Sequence, residues 1–177
     1  FSNYAYHSSI SKTFQKHCSV LNYLEDVDPE LAEVIRKLCI GRIFTPRKGS
    51  AGVTFLRPDS ALSSQIKKTA YGDSPEEAVD MIKSLLLLDH LESLDDFDSK
   101  KSDIPNAMRK KLPVATASGK KVTLTNGAEI VNDDDFKARN DRSNIAVYII
   151  SKSLAPTDGD PSGFSDSLPA KKVKKGG

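Results

Sequence analysis

Two cysteines, three histidines and one run of three aspartates are the residues through which this 177-residue chain could do bond-making chemistry. His7, His17 and His90 lie far apart in sequence, and no CxxC or Cys/His set with zinc-ligand spacing is present. His17 adjoins Cys18, but neighbours on a helix point about 100° apart, which argues against a thiol–imidazole pair. Asp133-Asp134-Asp135 could attract a hard cation, as a metal-dependent nuclease requires. Three consecutive residues cannot all face one ion, however, and a cap for the turn around Phe136 is the expected role. Gly49-Ser50-Ala51-Gly52 lacks both the lysine placement and the preceding strand of a phosphate-cradling loop. No nucleophile, base and oxyanion donor are nominated together, so catalysis, a cofactor and a metal are not expected.

The cations suggest more. Arg47 and Lys48 fall on a glycine-bearing loop, Lys67 and Lys68 on a helix face, and Arg109, Lys110 and Lys111 in a polar excursion. Lys120 and Lys121 precede a strand, and Lys171, Lys172, Lys174 and Lys175 crowd the C-terminal end. Neutralising phosphate needs only such charges on protruding elements. Any one cluster also reads as a solvated face, and the lysine-rich end also fits a nuclear-import signal. Gly176-Gly177 follows the lysines directly. Only residues without Cβ let a backbone lie flat beside a protease nucleophile, so the pair fits a diglycine-specific cysteine protease. It reads equally as the remnant of a linker.

The elements that must carry these residues follow from periodicity and capping. Phe14, Cys18, Leu21 and Leu24 recur at helical spacing over Thr13–Glu25, after an N-terminal arm of about 12 residues. Asp28-Pro29-Glu30 starts a second helix with a cap, a first-turn proline and an acid at the positive end of the dipole. Leu31, Val34, Ile35, Leu38 and Cys39 form its inner face, and Gly41 is expected in the left-handed closing position. Val53–Leu56 reads as a short strand stopped by Pro58, followed by a helix over Ala61–Thr69. Ser74-Pro75-Glu76-Glu77 opens another, with Ala78, Met81, Ile82, Leu85 and Leu86 inward.

Residues 92–118, acidic then basic, predict a long and partly mobile excursion. Asn126-Gly127 between Val122–Thr125 and Ala128–Val131 predicts a two-residue type I′ hairpin, and Ile145–Ile150 a further strand. From Ala155 onward Pro, Gly, Ser and Asp predict a flexible basic tail. The fold class is therefore α+β: an N-terminal helical half with a short strand, then a β-hairpin half. One domain over residues 13–154 accounts for this length, with 38% apolar and 28% charged residues. The formal net charge of +2 hides the segregation of acids at 89–98 from the basic tail. No apolar run approaches the roughly 20 residues of a spanning helix, so membrane contact is expected to be peripheral. By residue type alone, Cys18 and Cys39 read as small buried apolar side chains.

The ordered set Cys18, Asp28-Pro29-Glu30-Leu31, Leu38-Cys39, Gly52-Val53-Thr54-Phe55 with Pro58, Ile66-Lys67-Lys68 and Ala70-Tyr71 resembles a known family. A second block adds Lys121-Val122, Asn126-Gly127, Asp135-Phe136-Lys137, Asp141-Arg142 and Ala146-Val147. Together they resemble the fifteen-kilodalton core-shell proteins that African-swine-fever-type large DNA viruses cut from the smaller of two structural polyproteins. The resemblance implies a non-enzymatic α+β part of the shell between inner membrane and nucleoid, matured by a viral Gly-Gly-specific cysteine protease at infected-cell assembly sites. It also implies homotrimers, neighbouring core-shell proteins from the same polyproteins, non-specific DNA binding, peripheral contact with the inner membrane and a Cys18–Cys39 disulfide, within or between protomers. On that reading the apolar helix faces meet across the trimer, and Arg47, Lys48, Lys67, Lys68 and the tail lysines meet DNA or lipid headgroups. The arm, residues 92–118 and a stretch before the tail depart from the pattern. Phe1 departs too, where the family starts at its precursor's methionine, which fits trimming or a different precursor order. The rival reading is a stand-alone nucleic-acid-binding regulator, with the first helices and the Val53–Leu56 strand as a winged-helix-like reader.

Overall fold

A computed structural model describes residues 19–101, 103–139 and 144–154. The expected arm, Cys18 and the basic tail lie outside the described residues. Helices α1 (Ser19–Val27) and α2 (Pro29–Lys37) are followed by a 3-10 turn, Gly41–Phe44. Strand β1 (Val53–Pro58) leads into helices α3 (Ser60–Ala70) and α4 (Pro75–Ser84), then the two-residue strand β2 (Leu86–Leu87) and helix α5 (Leu94–Ser99). Strands β3 (Val114–Ala117), β4 (Lys121–Leu124) and β5 (Glu129–Asn132), the short helix α6 (Asp134–Ala138) and strand β6 (Ile145–Ile150) complete the α+β fold.

The strands make one sheet in the order β2-β1-β6-β5-β4-β3. Its centre is the parallel pair β1 and β6, in register from Val53 opposite Ile145 to Pro58 opposite Ile150. The other pairs are antiparallel. Both central strands are buried at nearly every position, which is why they read as continuous apolar runs and not as alternating ones. Gly52 admits the chain to this centre. Its φ is 143°, and a Cβ there would lie 2.0 Å from the carbonyl oxygen of Asn144. Among the described residues no helix is long and apolar enough to cross a membrane.

Three local expectations are corrected. Helix α2 ends two residues early, and Cys39 rather than Gly41 takes the left-handed position, with φ 59°. Its N–H donates to the Arg36 carbonyl and that of Ile40 to the Ile35 carbonyl, the paired bonds of a Schellman closure. That geometry turns Cys39 outward, so it is exposed and unbridged and not part of the inner face. The hairpin turn has three residues, Thr125, Asn126 and Gly127, between the paired Leu124 and Ala128. Only Gly127 is left-handed, at φ 89°, while Asn126 accepts from the Ala128 N–H and donates to the Ser153 carbonyl. The same Asn126 side chain thereby ties the turn to the segment after β6.

The segment 92–118 is the third correction. It carries α5 and the edge strand β3, elements that the reading of a long and partly mobile excursion did not assign. Six residues of helix cannot hold themselves in water. Phe97 anchors them, buried and edge-on to Tyr148 with ring centroids 5.2 Å apart, a burial contributing roughly 2–3 kcal/mol. The Tyr148 hydroxyl donates to the Leu91 carbonyl at 2.7 Å, which fixes the entry to the same segment.

One buried ionic cluster joins the two ends of the domain. Asp133 is 1% exposed and caps α6, accepting from the Phe136 N–H. Its Oδ2 also accepts from the Tyr23 hydroxyl on α1 at 2.7 Å and from Arg57 Nε on β1 at 2.8 Å. The Tyr23 ring packs edge-on against Phe136, with the Arg139 guanidinium 4.7 Å from its centroid. Burial alone would push the Asp133 carboxyl up; the hydrogen bonds from Arg57 and Tyr23 and the Arg57 charge hold it below the usual carboxylate range. Burial, the bond to Asp133 and the Asp133 charge push the Tyr23 hydroxyl well above its ordinary value.

A carboxylate depressed in the folded state contributes stability that is complete above its unfolded pKa, about 3.9, and lost as pH falls through the folded value. Urea midpoints should therefore be flat from neutral pH down to about pH 5 and drop below about pH 4, and Asp133→Asn should blunt that drop. Asp133→Ala, which strands the Arg57 charge, should cost about 3 kcal/mol or more at pH 7, against about 1 kcal/mol for Tyr23→Phe.

Candidate nucleic-acid interface

The sequence-predicted cations divide into those already engaged and those open to a partner. Lys67 is engaged. Its Nζ lies 2.9 Å from Asp28 and 3.1 Å from Glu30, tying α3 to the start of α2. Asp28 caps α2 through the Leu31 N–H and also accepts from the Ser63 hydroxyl. Burial would lower the Lys67 pKa, but its bonds to the two carboxylates raise it. Lys111 pairs with Asp103 and Lys121 with Glu129, and Lys110 is buried.

The open cations are Arg47, Lys48 and Lys68, all exposed and outside any ion pair of the described residues. Arg47 and Lys48 sit on the turn before β1, closed by Ser50, whose N–H and hydroxyl both donate to the Arg47 carbonyl. Lys68 lies on the outer face of α3, beside a shallow groove lined by Ala61, Ser64, Gln65, Lys67 and Tyr71. Tyr71 is 56% exposed and carries the Lys37 ammonium 5.1 Å from its ring centroid. Lys171, Lys172, Lys174, Lys175, Gly176 and Gly177 lie outside the described residues, as does Cys18.

Two cations unmarked by the sequence reading join the surface. Arg42 and Lys83 stand with Arg47 and Arg109 around a cleft of about 630 Å³. Four segments distant in sequence converge there, so no local motif announced it. Among the described residues no group of three or more His, Cys, Asp or Glu could hold a metal ion. Asp133 is committed to its cap and its two donors, and His90 lies 3.9 Å from Glu92. The winged-helix arrangement does not form: β1 is the buried centre of the sheet, paired on both sides, and cannot serve as a wing.

Among the described residues the open charges stand on turns and helix faces. Comparison with known proteins agrees with a viral origin: the chain is a relative of a segment of a viral polyprotein. That polyprotein is polyprotein pp62 of African swine fever virus, to which the chain is 33% identical over 149 residues in isolates from a South African tick and a Namibian warthog. An isolate from a Malawian tick gives 32% over the same length. The alignments cover 83% of this chain and 27% of each polyprotein, so the chain spans about a quarter of the length of the curated relatives it matches. No family model matches the chain.

Lys67 and Lys68 are neighbours with different duties. Lys67→Gln should lower stability by about 1 kcal/mol, whereas Lys68→Gln should leave the urea midpoint unchanged. Cys39→Gly should raise the melting temperature of the reduced protein, since glycine removes the left-handed penalty of about 1 kcal/mol.

Proposed function

We propose that this chain is a structural part of a virion core shell, matured from a polyprotein by proteolysis after Gly176-Gly177 and without enzymatic activity of its own. Its work is scaffolding between the inner membrane and the nucleoid, as a homotrimer or a multiple of one, beside other products of the same precursors. A viral Gly-Gly-specific cysteine protease releases it at assembly sites in infected cells. The observation that carries the reading is the alignment of 83% of the chain with one quarter of polyprotein pp62.

The open cations Arg47, Lys48 and Lys68, with Lys171, Lys172, Lys174 and Lys175, supply non-specific contact with DNA and with anionic headgroups of the inner membrane. The trimer cannot use the inner helix faces, because Leu31, Val34, Ile35, Met81 and Ile82 are already spent on the protomer's own core. A groove of about 480 Å³ between α2, α3 and α4, lined by Leu38, Ala70, Tyr71, Pro75 and Val79, offers an apolar surface for self-association. Exposed Cys39 is accessible to Cys18 of the same or another protomer under oxidising conditions.

Binding to several unrelated duplexes of about 20 base pairs tests the reading. Affinities should agree within a few-fold across sequences and fall roughly 10- to 100-fold between ~50 and ~200 mM salt. One duplex preferred by orders of magnitude over the others would point to a sequence reader and contradict the proposal.

A further inference from the structure

We propose that the cleft between the Gly41–Phe44 turn, the 45–50 turn, α4 and the 105–111 turn is a binding site for a compact polyphosphate anion. Arg42, Arg47, Lys83 and Arg109 line it together with Thr45, Ser50 and an apolar floor of Ile43, Val53, Leu88 and Ala107. Among the described residues three guanidinium groups and one ammonium line the cleft with no carboxylate beside them, and none of the four has an ion pair. Like charges gathered in a concavity repel one another, so the arrangement is stabilised by an anion that neutralises them. Guanidinium groups meet phosphate and carboxylate oxygens alike in bidentate fashion, but four gathered cations call for the several negative charges of a polyphosphate and not the single charge of a carboxylate.

The backbone presents Arg109 at a cost. Arg109 holds φ 64°, a conformation that a non-glycine residue adopts only under constraint. The constraint is Asn106, fully buried, whose side-chain oxygen accepts from the Met108 and Lys110 N–H groups and whose amide donates to the Ser84 carbonyl. The Asn106 N–H donates to the Lys110 carbonyl and the Arg109 N–H to the Asn106 carbonyl, closing the turn. Strain held in place by a buried amide is a feature of ligand clamps.

The volume, about 630 Å³, lies in the range of small-ligand sites. Among the described residues no aromatic side chain lines the cleft for base stacking, which favours a compact ligand dense in phosphate over a single strand. Inorganic tripolyphosphate and inositol hexakisphosphate represent the two simplest sources of that chemistry. The site shares Arg47 with the DNA surface but does not rest on that reading.

Calorimetric titration of both probes into the full chain at ~150 mM salt should show saturable one-to-one binding. Whichever probe binds more tightly identifies the source, inorganic chain or phosphorylated ring. Arg109→Gly should weaken it by about tenfold, the loss of a charge-assisted contact, while raising the melting temperature by relieving the backbone. Arg42→Gln should weaken it comparably, and Lys48→Gln with Lys68→Gln should not. Absence of saturation with either probe overturns the proposal. So does equal weakening by the Lys48 and Lys68 changes, which would reduce the cleft to general positive charge. Arg109→Gly binding DNA about tenfold more weakly while tripolyphosphate fails to saturate would assign these residues to a duplex-binding strip and overturn it as well.

Discussion

Asp133 is a carboxylate almost out of reach of water, and its charge must be met inside the protein. Tyr23 and Arg57 meet it, and they come from the first described helix and from the central strand, 110 and 76 residues away in sequence. The same side chain caps α6 on the connection into β6. One carboxylate therefore fixes how the helical half sits against the sheet. Satisfying it requires α1, β1 and the end of β5 to arrive together, which supplies specificity of arrangement where apolar contact alone is permissive.

Local physics was legible in the sequence and distant pairing was not. Asp28-Pro29-Glu30 announced α2 because capping and a first-turn proline act over three residues. The apolar run Ile145–Ile150 announced a strand, and its burial on both faces explains why no alternation appeared. Asp133 was readable as a cap, but Tyr23 and Arg57 gave no signal because nothing in their own neighbourhoods needs that carboxylate. Residues 92–118 misled for a related reason. Leu91, Leu94, Phe97, Ile104 and Leu112 are all buried, yet their spacing follows neither helix nor strand, so the polar residues between them dominated the pattern. Cys39 misled because a Schellman closure usually recruits glycine, and Gly41 stood two residues beyond it.

The candidate site was half visible for the same reason. Residue type marks a cation, but only the fold decides whether a carboxylate already holds it. Lys67 was indistinguishable from Lys68 in sequence, and the helix rotation between them sends one to Asp28 and Glu30 and the other to solvent. Arg42 and Lys83 looked like ordinary surface charges until four segments brought them to one cleft with Arg47 and Arg109. Among the described residues, paired cations such as Lys67 hold the domain together, whereas Arg47, Lys48 and Lys68 stand exposed outside any ion pair. This division of labour suits a part whose role is to hold surfaces together.

Whether the chain is such a part is most directly decided by quantitative mass spectrometry of purified virus particles against whole infected cells. The account predicts a product ending in Gly177, enriched in particles at the copy number of a shell component and freed from downstream precursor sequence. Its absence from particles, or its presence in cells only as uncleaved precursor, would contradict the account.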